Sequence, residues 1–497
     1  MSRTERAIAG VAATGLGLAA GQLLGVLLDP VSAPLVAVGS AVIDLAPPQL
    51  KEWAVSTVGT ADKPLLLLTV LITVIALGAV AGIASARRVL VADLIYAVLA
   101  AIGVAAALTR PGVALPAALP SVLAAVVAAV LLRWQLRWSA PAGPRPDGIG
   151  FDRRLLLSGG AGIIAALATA ALPGSRTQLP PAAVPTIPPP ESTPSAFPVG
   201  LDSAVPGITP LRTPVADFYR IDTALFVPQP DVAGWQLRVD GLVEAPFSIG
   251  WDELVAMPLI ERDITLTCVS NEIGGPYCGS TRWTGVRVAD LLRRARPSAQ
   301  ADQVLSTSSD GFSASTPLAV LLDGRDAMIA VAMDGQPLPR EHGFPARLLT
   351  PGLYGYVGAT KWLTRLKVTT FAADQAYWTT RGWAEQAPVK TATRIDTPHG
   401  GILAGPTVIA GVAWATHRGI SRVQVQVDGG AWQDAKLGPD VGLDYWRQWY
   451  LPWQAPSGTH RIAARAWDGA GIVQPGTVRP VLPDGPTGYH IIDVQVD

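Results

Sequence analysis

Cys268 stands in the run T-L-T-C-V-S-N-E, residues 265–272. The pattern Ile264, Leu266, Cys268 predicts a buried strand, and it runs into Asn271 and the Gly-rich loop Gly274-Gly275-Pro276. A strand ending this way presents one soft sulfur into a cleft. As a thiolate, that sulfur can bind a metal or attack an electrophile. The chain holds one other cysteine, Cys278. In an oxidising compartment the two can instead close a disulfide, so the residues alone leave metal ligand, nucleophile and bridge open.

The elements that position this sulfur follow a strongly apolar N-terminal region. The 497 residues are 49% hydrophobic and 15% charged, against about 25% charged in an ordinary soluble domain. The apolar excess lies before residue 173. Net charge is zero, with no basic tail, so nothing points to nucleic acid. A membrane span needs about 20 apolar residues, and five stretches meet that length: Ala7–Leu28, Pro64–Ala84, Val89–Leu108, Gly112–Leu132 and Leu155–Leu172. A sixth piece, Leu35–Ala46, is short, flanked by prolines, and reads as interfacial or re-entrant. Asp93 reads as an interface residue rather than a proton relay.

Arginines set the expected orientation. Arg3 and Arg6 precede the first span, Arg87 and Arg88 join the second to the third, and Arg133, Arg137, Arg145, Arg153 and Arg154 join the fourth to the fifth. The opposite loops hold Lys51, Lys63 and Arg110. Five spans with the N-terminus inside place everything after residue 173 outside, on the plasma membrane. Asp152-Arg153-Arg154 before an apolar run also resembles a twin-arginine export signal; ordinary positive-inside anchoring explains the same residues. No small-x-small cleavage site follows, so the run is expected to stay as an anchor. The spans show no inverted repeat and no paired intramembrane charges, which argues against a transporter.

Residues 173–200 are a Pro-rich linker, expected to be extended and polyproline-like. Residues 201–389 mix short alternating strands (235–239, 304–307) with helical spacing at 288–294, which predicts an α+β domain. From 390 to 497 helix signals vanish. Val423, Val425 and Val427 alternate into Asp428-Gly429-Gly430, and Ile462, Ala464 and Ala466 into Asp468-Gly469, which predicts a small all-β sandwich. The late tryptophans (432, 446, 449, 453, 467) are expected in its core.

Two long runs carry a resemblance. T-L-T-C-V-S-N followed by G-S-T-R-W-T-G-V-R-V-A-D-L-L (265–292), and M-D-G-Q-P-L-P-R-E-H-G-F-P-A-R-L-L-T-P-G (333–352) with G-A-T-K-W-L-T-R-L-K-V (358–368), are similar to the molybdopterin-binding domain of the sulfite oxidase family. The similarity covers roughly 205–490 and implies that the β-rich tail is the family's immunoglobulin-like dimerisation domain, hence a homodimer. It also implies that Cys268 ligates molybdenum, a role suited to a soft thiolate, and that Cys278 is a loop cysteine outside the chemistry. His342 and Arg347 match residues that bind the pterin and its phosphate, and Lys361 another cofactor contact, with Ala359 and Thr360 supplying backbone. D-F-Y-R-I-D-T-A-L (217–225) matches the segment approaching pterin and metal, through Tyr219 and Arg220, with Arg220 at the substrate anion pocket. Asp310 matches a further cofactor contact.

The departures bear on substrate. Glu272 and Ile273 stand where sulfite oxidases place arginines, and the family's active-site tyrosine has no clear equivalent in 376–383. The implied reaction is oxygen-atom transfer on a small sulfur-containing or oxyanion substrate, and a sulfoxide reductase of methionine sulfoxide type suits a less cationic pocket. A reading of another class is a cofactor-free scaffold tethered to the membrane. No C-x-x-C-H motif is present and no histidine precedes His342, so no haem is expected. Electrons would pass to or from a quinone or a separate cytochrome.

Overall fold

The computed structural model describes residues 1–47, 50, 53–54, 57–58, 61–110, 115–138, 153–170 and 186–497. They form two compact units. One comprises Met1–Pro181 with Thr223–Pro228, the other Ala182–Asp222 with Gln229–Asp497.

The first unit is helical. Its opening helix, Arg3–Leu28, starts from a capping box in which Ser2 and Glu5 satisfy each other's backbone donors. Small residues let it approach its neighbours closely: a Cβ added at Gly10 would lie 2.0 Å from the Gly78 carbonyl oxygen. Among the described residues, four helices are long and apolar enough to cross a membrane: Arg3–Leu28, Asp62–Ala84, Val89–Leu108 and the stretch Leu115–Arg137. The fifth expected span, Leu155–Leu172, overlaps helix Arg153–Ala170, and Ala171 and Leu172 lie outside the described residues. The Leu35–Ala46 piece is the short helix Pro34–Leu45. Arg110 meets Asp44 at 2.6 Å and Arg133 meets Asp93 at 2.5 Å, with both arginines just beyond the expected spans. Both pairs sit toward helix ends, where partners reduce the cost of a charge. Thr223–Pro228 belongs with these helices; Leu225 packs on Ala33 and Val36, and Lys63 Nζ donates to the Ala224 carbonyl at 2.5 Å.

The second unit contains four sheets. In chain order its first strands are β1 (Gln236–Gly241), β2 (Phe247–Gly250), β3 (Leu259–Thr267), β4 (Cys278–Arg287), β5 (Gln303–Ser308), β6 (Ser313–Pro317), β7 (Met328–Met333), β8 (Gln336–Pro337), β9 (Arg347–Leu349) and β10 (Leu363–Thr369). One sheet runs β2-β1-β10-β5-β6; another runs β3-β4-β7-β8, with β9 also on β7. Helix Val288–Ala295 buries Val288, Leu291, Leu292 and Ala295 into the core shared with Leu237, Val304 and Leu366, as its spacing predicts. β3 is the edge strand of its sheet, yet both its faces are covered from Ile264 to Thr267, so its burial is continuous rather than strictly alternating. Its outer edge is closed in two places. Ser192 bridges Ile260, and Trp446 N–H donates to Thr265 Oγ1 at 2.7 Å while Thr265 N–H donates to the Asp444 carbonyl. The described half of the Pro-rich segment is thus docked at Glu191 and Ser192, and Phe197 lies under the Arg282 guanidinium at 4.5 Å.

The remaining strands are β11 (Ala392–Thr397), β12 (Gly401–Ile402), β13 (Gly405–Trp414), β14 (Ile420–Val427), β15 (Gln433–Asp434), β16 (Lys436–Leu437), β17 (Arg447–Ala455), β18 (Gly458–Asp468) and β19 (His490–Val496). They form sheets β11-β13-β17-β16 and β12-β19-β18-β14-β15, with Val423, Val425, Ile462, Ala464, Ala466 and Trp449 buried in one core. Asp428 (φ 52°) and Gly429 (φ 69°) make the tight turn the Asp-Gly pair requires. The tryptophans divide: Trp446 and Trp449 are buried, whereas Trp432 and Trp467 stack with Arg465 at 4.1 and 4.8 Å on a half-exposed face.

Candidate active site

The site begins where β3 ends. Cys268 N–H donates to the Tyr277 carbonyl at 2.9 Å, which holds the loop 269–277 closed onto the start of β4. Asn271 stitches that loop internally, accepting from Tyr277 N–H at 2.8 Å through Oδ1. Gly274 (φ +77°) lies so close to His490 that an added Cβ would be 2.1 Å from its Nε2, and Arg394 donates to the Gly275 carbonyl at 3.0 Å. The loop carrying the sulfur is therefore pinned by the sandwich.

Both cysteines are free. Thr267 pairs with Cys278 in the β3–β4 register and its hydroxyl meets the Cys278 thiol, so Cys278 is engaged by Thr267 and not by Cys268. Cys278 is buried and its thiol is pushed up to about 12, first by desolvation. Cys268 keeps partial exposure. Desolvation raises its pKa, opposed by donors from Ser270 and Val269 and by the charge of Lys361. A metal ion would displace that proton and draw on the same donors.

Tyr219 and Lys361 interact with the sulfur directly, and Asp222, Arg220, Arg347, His342 and Asp310 cluster with Lys361. Lys361 Nζ bonds Asp222 Oδ2 at 2.7 Å and the Glu341 carbonyl at 3.0 Å. Its pKa falls to about 8, mainly by desolvation, with Asp222 opposing the fall. Arg347 is 6% exposed, donates to the His342 carbonyl at 3.1 Å and lies 5.2 Å from the Trp283 ring centre. Burial lowers its pKa to about 10. His342 packs edge-on against Phe218 and is pushed down to about 4 by burial and then by Arg347 and Lys361. Arg220 Nε bonds Asp222 Oδ2 at 2.9 Å. Tyr219 stacks on Phe218; desolvation, then the Cys268 charge, hold its phenol well above the usual range. Desolvation likewise raises Asp310, which accepts from Phe312 N–H.

Two expected backbone contacts are partly committed already: Ala359 N–H donates to Gly355, and the Thr360 carbonyl accepts from Leu348 N–H. The Thr360 hydroxyl meets Ser306 Oγ at 2.7 Å. Glu272 and Ile273 line a cavity of about 30 Å³ with Tyr354, Trp414 and Gly488, on the sandwich side of the loop. Tyr377 packs on Phe312 with the Arg381 guanidinium 3.6 Å above its ring, beside the Asp310 loop. Sequence reasoning missed Asp222, Ser270 and Trp283 as functional neighbours. The signal for Asp222 was its place two residues after Arg220; Ser270 and Trp283 gave none.

These residues fit a molybdenum–pterin cofactor. Among the described residues no group of three or more His, Cys, Asp and Glu side chains is placed to hold a metal ion, so Cys268 would need a partner that brings its own ligands. Buried Arg347 Nε and Thr350 Oγ1 have no partner among the described residues, and Lys361 and Arg347 together outweigh the nearest carboxylate. Buried cations and orphaned donors of this kind suit an anionic, oxygen-rich group such as a phosphate.

Residues 224–378 match the family model described as oxidoreductase molybdopterin binding domain. The chain is 30% identical over 308 residues to mitochondrial sulfite oxidase of Mus musculus and of Homo sapiens, covering 51% of this chain and 56% of each relative. It is 27% identical over 323 residues to nitrate reductase [NADH] 1 of Oryza sativa subsp. japonica, covering 50% and 34%. The chain thus spans about half the length of the sulfite oxidases it matches. Among solved structures, the sulfane dehydrogenase SoxCD of Paracoccus pantotrophus aligns at 24% identity and a TM-score of 0.48, over 55% of this chain and 76% of that one.

Proposed function

We propose that this protein, a molybdopterin-dependent oxidoreductase of the sulfite oxidase family, transfers an oxygen atom to or from a small sulfur-containing or oxyanion substrate. The observation that carries the reading is the free thiol of Cys268 facing the Lys361 charge, with Arg347 and Arg220 clustered on Lys361. When bound, the molybdenum–pterin group supplies two-electron redox chemistry at an oxo-accepting metal.

The chain's own residues hold and orient. Cys268, its sulfur accepting from Ser270 and Val269, would give up its proton and hold the metal. Arg347 and Lys361 would hold the anionic pterin side, and Asp222 fixes the Lys361 ammonium in place. His342, neutral because its pKa is near 4, bonds the Val215 backbone through one ring nitrogen and would offer the other as an acceptor without adding charge. Tyr219 keeps its phenolic proton at neutral pH and can donate to a substrate oxygen. In the oxidising direction sulfite and water give sulfate, two protons and two electrons. In the reducing direction a sulfoxide takes two protons and two electrons to give a sulfide and water.

The apolar helices suggest membrane association. The arginine distribution supports an N-terminus inside and a catalytic region, 201–389, on the extracytoplasmic side, reached through the 173–200 linker. The 390–497 sandwich is proposed as an immunoglobulin-like dimerisation domain, and a quinone or cytochrome as the electron partner. A monomeric mass by light scattering of the purified chain would remove the homodimer. The activity is tested with full-length protein from a host that makes the cofactor, assaying ferricyanide-coupled sulfite oxidation and viologen-driven reduction of dimethyl sulfoxide. Turnover in one direction by the wild type, and none by Cys268→Ser, is expected. Retained turnover in Cys268→Ser defeats the mechanism.

A further inference from the structure

We propose that Asp222 sets the charge of the substrate pocket and selects an uncharged oxo compound, of the dialkyl sulfoxide class, over a sulfur oxyanion; this rests on the molybdopterin reading above. The three cations of this cluster are not equivalent. Lys361 and Arg347 are buried, with Lys361 9% exposed at its side chain, whereas the Arg220 side chain is 34% exposed. Arg220 is thus the cation of the cluster that an incoming solute can meet. Its guanidinium is already spanned by one carboxylate, with Nε 2.9 Å from Asp222 Oδ2 and Nη2 3.5 Å from Oδ1. The same Oδ2 takes Lys361 Nζ at 2.7 Å. Asp222 is only 5% exposed at its side chain, so water screens this triad poorly.

The charge count follows. Arg220, Lys361 and Arg347 against Asp222 leave two positive charges. His342, pushed down to about 4, adds none near neutral pH, and any charge that the Asp310 carboxyl carries lowers the total further. A phosphate monoester carries about −1.5 to −2 at pH 7, so the pterin phosphate alone balances the cluster. Nothing remains to compensate a substrate dianion. The Tyr219 phenol, which desolvation holds protonated, lies beside the Cys268 sulfur's charge and offers an uncharged donor. Such a donor suits a sulfoxide oxygen, which leaves as water when the substrate takes two electrons from two equivalents of a one-electron donor and two protons from solvent.

The test uses molybdenum-loaded full-length protein and sulfate as the probe, by titration calorimetry, with kcat/KM for dimethyl sulfoxide reduction measured using reduced methyl viologen. Wild type should turn over dimethyl sulfoxide in preference to sulfite. Asp222→Asn should bind sulfate about tenfold more tightly, because one charge facing a part-exposed guanidinium has been removed. The double variant Asp222→Asn with Arg220→Gln should lose that gain. Should Asp222→Asn lose its molybdenum, Arg220→Gln alone decides: sulfate affinity within about twofold of wild type supports a cancelled charge, and a tenfold loss overturns it. A loaded Asp222→Asn that binds sulfate no better than wild type overturns it too, as does a loaded wild type that prefers sulfite. Wild-type protein without molybdenum or pterin overturns this inference together with the reading beneath it.

Discussion

Replacing Arg347 with methionine should move the cofactor-free and the cofactor-loaded protein in opposite directions. Among protein groups alone this guanidinium is buried, bonded to one carbonyl and without a carboxylate partner in contact. The fall of its pKa to about 10 corresponds to roughly 3 kcal/mol against the charged form. Methionine has a similar reach and no charge to desolvate, but it forfeits the hydrogen bond to His342, worth about 1 kcal/mol. Protein made in a host without the cofactor pathway should therefore be about 2 kcal/mol more stable as Arg347→Met, raising Tm by about 4 °C. In a cofactor-competent host the same change removes a charge-assisted bond of about 1.5–3 kcal/mol, and molybdenum content after dialysis should fall by about tenfold. Calorimetry on both preparations, with elemental analysis, reads both effects. A cofactor-free Arg347→Met that melts several degrees below wild type would refute the reasoning, because the arginine would then be a structural strut rather than a waiting counter-charge.

Three further outcomes follow from the same geometry. Gly274→Ala forces a Cβ to 2.1 Å from His490 Nε2 at a φ of +77°, and should cost about 2 kcal/mol in denaturant melts and loosen the Cys268 loop; an unchanged midpoint would show that the loop is not pinned there. His342 and His490 both have folded pKa values near 4. The unfolded chain binds their protons first, so stability is full above about pH 6.5 and falls as pH drops toward 4, by up to about 1.4 kcal/mol per pH unit for each. His490→Gln should remove one proton's worth of that slope, and an unaltered slope would contradict it. Cys268→Ser should keep its melting temperature in cofactor-free protein, within about 1 kcal/mol, while losing all turnover; a melted variant would mean that the sulfur packs rather than ligates.

Local signals were legible where periodicity was strong. The helix at 288–295, the β14 turn at Asp428-Gly429 and the strand leading to Cys268 all follow from residue spacing. The pairing of Thr267 with Cys278 depends on register across β3 and β4 and is invisible in spacing along one strand. Asp222 was hidden for a related reason. Its partner Lys361 lies far along the chain, and its own neighbourhood reads as a short irregular stretch after Arg220. Glu272 and Ile273 could be named as departures, but only the fold shows them lining a cavity toward Tyr354 and Gly488. Docking of Glu191 and Ser192 onto β3 likewise reflects an available strand edge, which proline content does not reveal.

The most direct test is the molybdenum and pterin content of the full-length protein purified from a cofactor-competent host, with Lys361→Met beside it. The account predicts about one molybdenum and one pterin per chain in the wild type, and a marked loss in Lys361→Met, whose ammonium sits between Asp222 and the Glu341 carbonyl. A folded wild-type protein with neither molybdenum nor pterin, from a host that loads a control enzyme, would contradict it.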